Sequence, residues 1–497
     1  SYVCLTRPRR FGKTVMANML TAFFSRACDS KELFQSLKIS TQKGYEGYQN
    51  QYAVISISFN DVAGECESYT QYIKRIEKKL IKDLKRAYPE VLFEEEESVV
   101  DILADIYAEN ESAKFIFILD EWDYIFHQDF ATDQDKKRYL TFLRSLLKDR
   151  PYVQFAYMTG ILPIAKYSSG SELNMFAEYT MAAEERFSEY FGFTESEVDE
   201  LFKRYEKKNK DSLKLTRDGI RMWYDGYHTQ AGERLYNPRS VVMALSNNNL
   251  GNYWTSSGPY DEIYYYIAND VDEVRDDLAR MAASESIPVK IREYAATAQQ
   301  LKTKEEIFSA MVVYGFLSYE KGNVFIPNKE LMDKFTEMLQ KEPSLGYVYN
   351  LAKESSRMLQ ATLNKDTQTM EQILEKAHNT EVPLLNYNNE TDLTAVVNLV
   401  YLAARDRYRV EREDKAGIGY VDFIFYPEID RSAAGIILEL KVNHSPEEAI
   451  RQIKEKKYAL KFQGKTGEKP HYTGKILAVG IGYDKVSKMH RCKVEVL

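Results

Sequence analysis

The sequence predicts an α/β protein: a parallel-sheet core at its start, a helical middle and a second, smaller α/β domain at its end. Three observations carry that prediction. The apolar run Tyr2-Val3-Cys4-Leu5 leads through Thr6-Arg7-Pro8-Arg9-Arg10-Phe11 into Gly12-Lys13-Thr14 and a helical-looking stretch, Val15 to Ser25. A wholly apolar run, Phe115 to Leu119, closes on Asp120-Glu121. Far downstream, a strand-like Gly419 to Tyr426 contains Asp422, and another, Gly435 to Val442, contains Glu439-Leu440-Lys441.

A strand, a tight loop ending Gly-Lys-Thr and a helix make a phosphate cradle. Backbone amides and the helix N-terminus would hold the anion, Lys13 would reach the β- and γ-phosphates, and the Thr14 hydroxyl would ligate Mg²⁺. The general pattern G-x-x-x-x-G-K-[ST] calls for Gly where this chain has Arg7, in a loop stiffened by Pro8. Between the first and second signals lie an alternating strand, Tyr52 to Phe59, and an amphipathic helix, Tyr69 to Tyr88, then a solvated Glu94 to Glu97 turn. The run closing on Asp120 reads as a parallel strand buried on both faces. Its carboxyl end is where such sheets place ligands. A strand closing on Asp-Glu resembles the Walker B element of P-loop ATPases, which implies that Asp120 positions Mg²⁺ through the metal's shell and Glu121 polarises the attacking water; the plainer reading is a buried strand with exposed acids at its tip. A third apolar strand, Val153 to Met158, ends on Thr159-Gly160, where Thr159 either senses the γ-phosphate or marks the strand's exit.

From Gly192 the pattern turns helical. Thr194 with Glu197 forms a capping box for a helix through about Lys208, and Thr216 with Asp218-Gly219 opens the next. The tetrad Tyr224-Asp225-Gly226-Tyr227 reads as a turn with packed aromatic flanks. Residues 191–270 are expected to form a helical lid, in which no arginine is marked as a finger by spacing alone. Residues 271–378 are expected to form a helical connector, with the Tyr264-Tyr265-Tyr266 run just before it read as packing. Within the connector, helix Glu305 to Leu317, hairpin Phe316 to Pro327 turning at Lys321-Gly322-Asn323, and helix Asn328 to Leu339 are compatible with a winged-helix fragment. Such a fragment serves nucleic-acid binding or domain contacts, the second being favoured here.

The last block, 379–497, opens on a helix, Thr391 to Arg407, with Glu390 at its start. Residues two apart share a strand face, so Glu439 and Lys441 point one way while Leu440 packs inward. A carboxylate on each of two neighbouring strands can hold one divalent cation, and Mg²⁺ suits such an oxygen site. The Lys441 ammonium would orient a water and offset developing charge. From Lys441 onward 13 Lys and Arg stand against 6 Asp and Glu, a basic patch suited to phosphates. Taken singly, each element has the bland alternative of a solvated face.

At 497 residues and 44% hydrophobic content the chain can bury more than one core, with two to four domains expected. No run approaches the length of a transmembrane helix and no signal peptide opens the sequence, so no membrane partner is expected. Cys4, Cys28, Cys66 and Cys492 lack C-x-x-C spacing, which suits reduced thiols in a cytoplasmic protein. A net charge of −8 disfavours a generally basic nucleic-acid binder but leaves a local patch open. The sequence lacks an initiator Met and begins within the first strand, so further N-terminal residues are expected.

Arg7 to Thr14, Asp120-Glu121, Thr159-Gly160, Phe191 to Val198 and Trp223 to Tyr227 together resemble the predicted AAA-ATPase-like family of bacterial proteins, over roughly residues 1–270. In that family Arg in place of the first Gly of the P-loop is habitual. The last block, with a following helix Pro446 to Gln463 and a strand Lys475 to Tyr483, resembles the αβββαβ core of the PD-(D/E)XK nuclease superfamily. The usual Pro before the Asp is replaced by Val421. The resemblance implies a P-loop core over 1–190 and the following site residues. Arg9, Arg10, Phe11, Gly12, Lys13, Thr14, Asp120 and Thr159 would bind ATP. Glu121, Asp422, Glu439, Lys441 and Gln452 would be catalytic, with Tyr458 as the Tyr that accompanies Gln452. Thr14 and Asp120 at one site, and Glu390, Asp422 and Glu439 at the other, would hold Mg²⁺, with Mn²⁺ an alternative at the nuclease site. The expected function is an ATP-binding and ATP-hydrolysing module coupled to a metal-dependent nuclease in DNA processing or defence. DNA is preferred to RNA by analogy, and a homo-oligomer or protein partner is left open. The alternative is a nucleotide-controlled switch or scaffold with an inactive, nucleic-acid-binding nuclease-like domain.

Overall fold

The computed structural model describes the chain except at residues 63–65, 94–96, 112, 165–171, 182–185, 211, 255–271, 283, 292–300, 302, 380–389, 417–418, 428–429, 431 and 464–473. The Glu94 to Glu96 part of the acidic turn and the Tyr264-Tyr265-Tyr266 run lie outside the described residues. Two compact units are formed, one from 1–259 with 288–328, the other from 260–287 with 329–497. The stretch expected as a connector contributes to both.

The first unit is built on strands β1 (Tyr2–Thr6), β2 (Ala53–Ser58), β3 (Phe115–Asp120), β4 (Val153–Gly160) and β5 (Ala177–Tyr179). They form one parallel sheet in the order β2-β3-β4-β1-β5. All six residues of β3 are buried, which is why its sequence is apolar without alternation. Helix α1 (Lys13–Phe24) lies on one face, packing Ala17 among Leu5, Ile116, Ile118 and Tyr157. Three further helices belong to this unit: α2 (Tyr69–Ala87), α3 (Val99–Glu109) and α4 (Asp133–Leu147). The last two begin with reciprocal capping boxes, Ser98 with Asp101 and Thr132 with Asp135.

The segment expected as a lid comprises α5 (Glu195–Lys208), α6 (Arg217–Tyr224), a short ladder β6 (Tyr227–His228) with β7 (Arg234–Leu235), and α7 (Pro238–Asn247). Thr194 and Glu197 make the expected capping box, and Thr216 caps α6 through the Gly219 amide. This segment has its own core, in which Val198, Phe202, Ile220, Tyr224, Tyr236 and Val241 are buried. Helix α8 (Asp272–Ala282) belongs to the second unit; α9 (Lys304–Tyr314) returns to the first. Gly315, at φ 85°, stops α9. Strands β8 (Ser318–Glu320) and β9 (Asn323–Phe325) then form the hairpin, and its two-residue turn has positive φ at both Lys321 and Gly322, the geometry that matches strand twist.

The second unit adds α10 (Lys329–Lys341), α11 (Tyr347–Asn364), α12 (Thr367–Asn379) and α13 (Glu390–Val400) to a five-stranded sheet. Its strands are β10 (Tyr408–Ala416), β11 (Gly419–Pro427), β12 (Gly435–Val442), β13 (Ile476–Asp484) and β14 (Met489–Val496), in that spatial order. Helix α14 (Pro446–Glu455) connects β12 to β13, which run parallel; the other neighbours are antiparallel. This is the expected αβββαβ order with one strand more than anticipated, β14, on the edge. The single helix expected over Pro446 to Gln463 is interrupted where Lys457 takes φ 51°, and the chain continues as a 3₁₀ turn, Tyr458–Gln463.

Candidate nucleotide and nuclease sites

Pairing of Thr6 with Gly160 and of Asp120 with Thr159 brings the ends of β1, β3 and β4 to one edge of the sheet. The phosphate loop starts there. Arg10 (φ 70°) and Gly12 (φ 87°) adopt left-handed backbone on either side of Phe11, the kind of local reversal that turns successive amides into an anion-binding nest. Gly12 is the N-cap of α1, so the cradle ends on a helix N-terminus.

Lys13 is buried and its Nζ donates to the carbonyls of Arg7 (3.0 Å) and Pro8 (2.9 Å). Burial lowers its pKa to about 8, against the pull of Asp123, Asp120 and Glu121. Asp120 is buried and bonded to the exposed Thr14; burial raises its carboxyl pKa despite Thr14 and Lys13. One Asp120 oxygen, Oδ1, is buried without a hydrogen-bond partner. A carboxylate oxygen in that condition, beside a threonine hydroxyl, fits a divalent cation. Glu121 follows at φ 55°, a strained setting for a non-glycine residue. Its carboxyl pKa is raised by burial and by Asp120, with Lys13 opposing.

The remaining predicted positions divide. Arg9 places its guanidinium 6.0 Å from the Tyr314 ring, and Arg10 is exposed, facing Arg239, Arg9 and Glu121. The Phe11 ring is buried edge-on against Tyr227, 4.9 Å between centroids, so only its backbone lines the cradle. Thr159 is fully buried with the Tyr157 hydroxyl as neighbour.

Two residues carry weight that the sequence reading missed. Arg7 is a buried strut: its guanidinium donates to the carbonyls of Thr6 (2.8 Å), Tyr179 (3.0 Å) and Phe187 (3.2 Å) and lies 5.0 Å from the Phe191 ring. Where other loops of this kind have glycine, this side chain ties the loop to β5 and the entry to the lid. Asp123 is buried and accepts from the Ile161 (2.9 Å) and Leu162 (2.7 Å) amides, holding the loop after β4 against the turn after β3. Its place two residues after Glu121 was the only available signal.

In the second unit, β11 and β12 pair Phe423 with Leu438, and one further step sets Asp422 opposite Glu439. The Asp422 carboxylate accepts from the Leu440 amide (2.7 Å). Glu439 is buried; its Oε1 accepts from Lys441 Nζ (3.1 Å) and from the Gln452 side-chain amide. The other oxygen, Oε2, is buried without a hydrogen-bond partner. Burial and the Asp422 charge push the Glu439 carboxyl up to about 7, Lys441 opposing. Helix α14 carries Gln452 to this point because it packs tightly on β13: a Cβ at Gly480 would overlap the Pro446 carbonyl. Tyr458 is fully buried in the adjacent core rather than in the cluster. Glu390 is the first residue of α13, and its side chain lies outside the described residues. Among the described residues no group of three or more His, Cys, Asp or Glu could hold a metal. Asp422 and Glu439 therefore stand as a pair, and the buried Glu439 Oε2, without a hydrogen-bond partner, fits a divalent cation. Part of the basic patch is internally neutralised, Lys454 on Glu495 and Lys493 on Glu447 and Glu495.

The chain thus joins an α/β core with a parallel sheet and a glycine–lysine–threonine loop to a separate mixed-sheet α/β domain. Residues 1–169 match the model of the predicted AAA-ATPase family, and residues 388–489 match that of the PD-(D/E)XK nuclease superfamily. The chain is 25% identical over 259 residues to an uncharacterized protein in the vnfD 5′ region of Azotobacter chroococcum mcd 1, covering 51% of this chain and 47% of that protein. It spans about half the length of the curated relative it matches. Among solved structures it is similar to a Walker-type ATPase of Pyrococcus abyssi, at 12% identity over 67% of this chain and 90% of that one, with a TM-score of 0.38. A signal transduction ATPase with numerous domains and a tetratricopeptide repeat sensor, from Pyrococcus horikoshii, matches at 12% identity over 82% and 54%, with a TM-score of 0.22. No helix among the described residues is long and apolar enough to cross a membrane.

Proposed function

We propose that the first unit binds and hydrolyses ATP and that the last domain cleaves phosphodiester bonds in nucleic acid, DNA before RNA, in DNA processing or defence. In this reading the backbone of Arg9 to Gly12 and the Lys13 ammonium hold the phosphates, Thr14 and Asp120 hold Mg²⁺, and Glu121 orients the attacking water. Thr159 would report on the γ-phosphate. The observation that carries the nuclease half is the buried, unpartnered Glu439 Oε2 beside Asp422, with Lys441 and Gln452 fixing the other oxygen. A divalent ion bound there, Mg²⁺ or Mn²⁺, would polarise the phosphodiester and acidify its own water. Lys441 would orient that water and offset charge on the scissile phosphate, while Gln452 would keep Glu439 in its rotamer. Glu390 at the start of α13 would complete the acidic set. Nucleotide occupancy is proposed to control cleavage, in a cytoplasmic protein.

Incubation of supercoiled plasmid with Mg²⁺ or Mn²⁺, with and without ATP, tests this. Wild type should nick or linearise the plasmid and Glu439→Ala should not. Equal cleavage by the two would remove the catalytic assignment. A second reading, a nucleotide-controlled scaffold with an inactive domain, is favoured by the Lys441–Glu439 ion pair and by Val421 in the usual place of Pro. It is distinguished by nucleotide binding without any cleavage under either metal.

A further inference from the structure

The phosphate loop is held from outside by residues far away in sequence. The indole N–H of Trp254 donates to the Arg9 carbonyl at 3.0 Å. Trp254 is buried and its ring meets Phe316 edge-on at 5.3 Å. Phe316 stands at the exit of α9, next to Gly315, whose Cβ position would lie 2.6 Å from the Pro8 Cβ. The Tyr227 hydroxyl donates to the Gly315 carbonyl at 2.9 Å, and the Tyr227 ring packs on Phe11. Pro8, Arg9 and Phe11 are therefore each seated against the lid or the end of α9.

The Arg9 contact has a directional consequence. In a planar trans peptide the carbonyl of one residue and the amide of the next point in opposite directions. A hydrogen bond that draws the Arg9 carbonyl outward turns the Arg10 N–H the other way, toward the cradle. Arg10 sits at φ 70°, a conformation a non-glycine residue keeps only when its surroundings impose it. Presetting one amide of an anion nest removes a reorganisation step from phosphate binding.

We infer that Trp254 is a positioning residue for the phosphate loop, orienting the Arg10 amide toward a nucleoside polyphosphate, and that docking of α9 and polyphosphate binding strengthen each other through the Trp254–Phe316 contact. The inference rests on the nucleotide reading above and adds a residue and a linkage to it. Reciprocity is required: if a docked α9 improves the loop, a filled loop must favour a docked α9.

Trp254→Phe keeps a ring against Phe316 and deletes the donor. Binding of ATP and of inorganic triphosphate would be measured by calorimetry on the full chain. Both should weaken in the variant by the same factor, roughly two- to tenfold for one such hydrogen bond. In wild type ATP should slow amide exchange across residues 304–314, and Trp254→Phe should reduce that slowing. Phe316→Leu, which leaves the indole but removes its aromatic seat, should shift both affinities the same way. Wild-type affinity for triphosphate in Trp254→Phe would overturn the inference. So would weakened ATP with unchanged triphosphate, which would assign Trp254 to the base. Failure of wild type to bind either probe would instead remove the nucleotide reading itself.

Discussion

Arg7 shows how one side chain can replace a glycine without opening the loop. Its charge is fully buried, and burial lowers its pKa to about 10, yet three carbonyls and an aromatic face receive it. Arg7→Gly, which restores the general loop pattern, should therefore destabilise the first unit by about 2–4 kcal/mol, as expected for removing a buried hydrogen-bonded charge. Denaturant unfolding of the full chain checks this, and an unchanged first midpoint would contradict it. Asp123 has a predictable pH signature. Burial pushes its carboxyl up, but His127 and the Leu162 and Ile161 amides outweigh burial and leave it below the ordinary 3.8. A carboxylate held below its unfolded value stabilises the fold above that value, and the stabilisation is lost as pH falls through the folded pKa. The loss should set in below about pH 4. Asp123→Asn should be less stable at neutral pH and show a flatter acid limb, measured by thermal unfolding across pH 2–7.

At the scale of elements, the aromatic tetrad that read as a turn is a joint. Asp225 is buried, paired with Arg234 at 2.8 Å, and its Oδ1 accepts from the Gly226 amide. Gly226 has φ 109°, and a Cβ there would overlap the Pro327 carbonyl at the exit of the hairpin. Gly226→Ala carries both a backbone and a steric penalty and should cost more than about 2 kcal/mol. It should also expose the β8–β9 hairpin to limited proteolysis; undiminished protection would sink the joint. Local chemistry made several elements legible. The Lys321-Gly322 turn, the Thr194 capping box and the Gly435–Val442 strand stand where residue type alone put them. Strand β14 escaped, although Cys492 to Val496 alternates, because it lies at a sheet edge where little apolar sequence is required, with Met489 and Val496 exposed. The break at Lys457 escaped because nothing in a Lys-rich run forbids continuing the helix.

For the whole molecule, the proposed chemistry divides between units that can be tested separately. ATP at 100 times its Kd should raise the stability of the first unit by about 2.7 kcal/mol. Lys13→Ala should abolish that gain while leaving the unfolding of the second unit unchanged, which two-transition calorimetry would resolve. If nucleotide controls cleavage, Lys13→Ala should also lose any effect of ATP on plasmid cutting. Persistence of the ATP effect would separate the two activities.

The sequence by itself determined the residue types that bear chemistry and the strands and helices that bear them. Gly-Lys-Thr after a short strand, Asp-Glu closing a buried one, and Asp with Glu-x-Lys on neighbouring strands are local patterns, set by backbone period and side-chain chemistry. Only the tertiary structure decided what surrounds them. It made Arg7 a strut and Asp123 a clamp. It left one oxygen of Asp120 and one of Glu439 buried without a hydrogen-bond partner, and brought Trp254 to Arg9 across 245 residues. The reason is physical: a hydrogen bond between distant segments leaves no periodicity in either segment, and a buried orphan oxygen is defined by the packing of every neighbour around it.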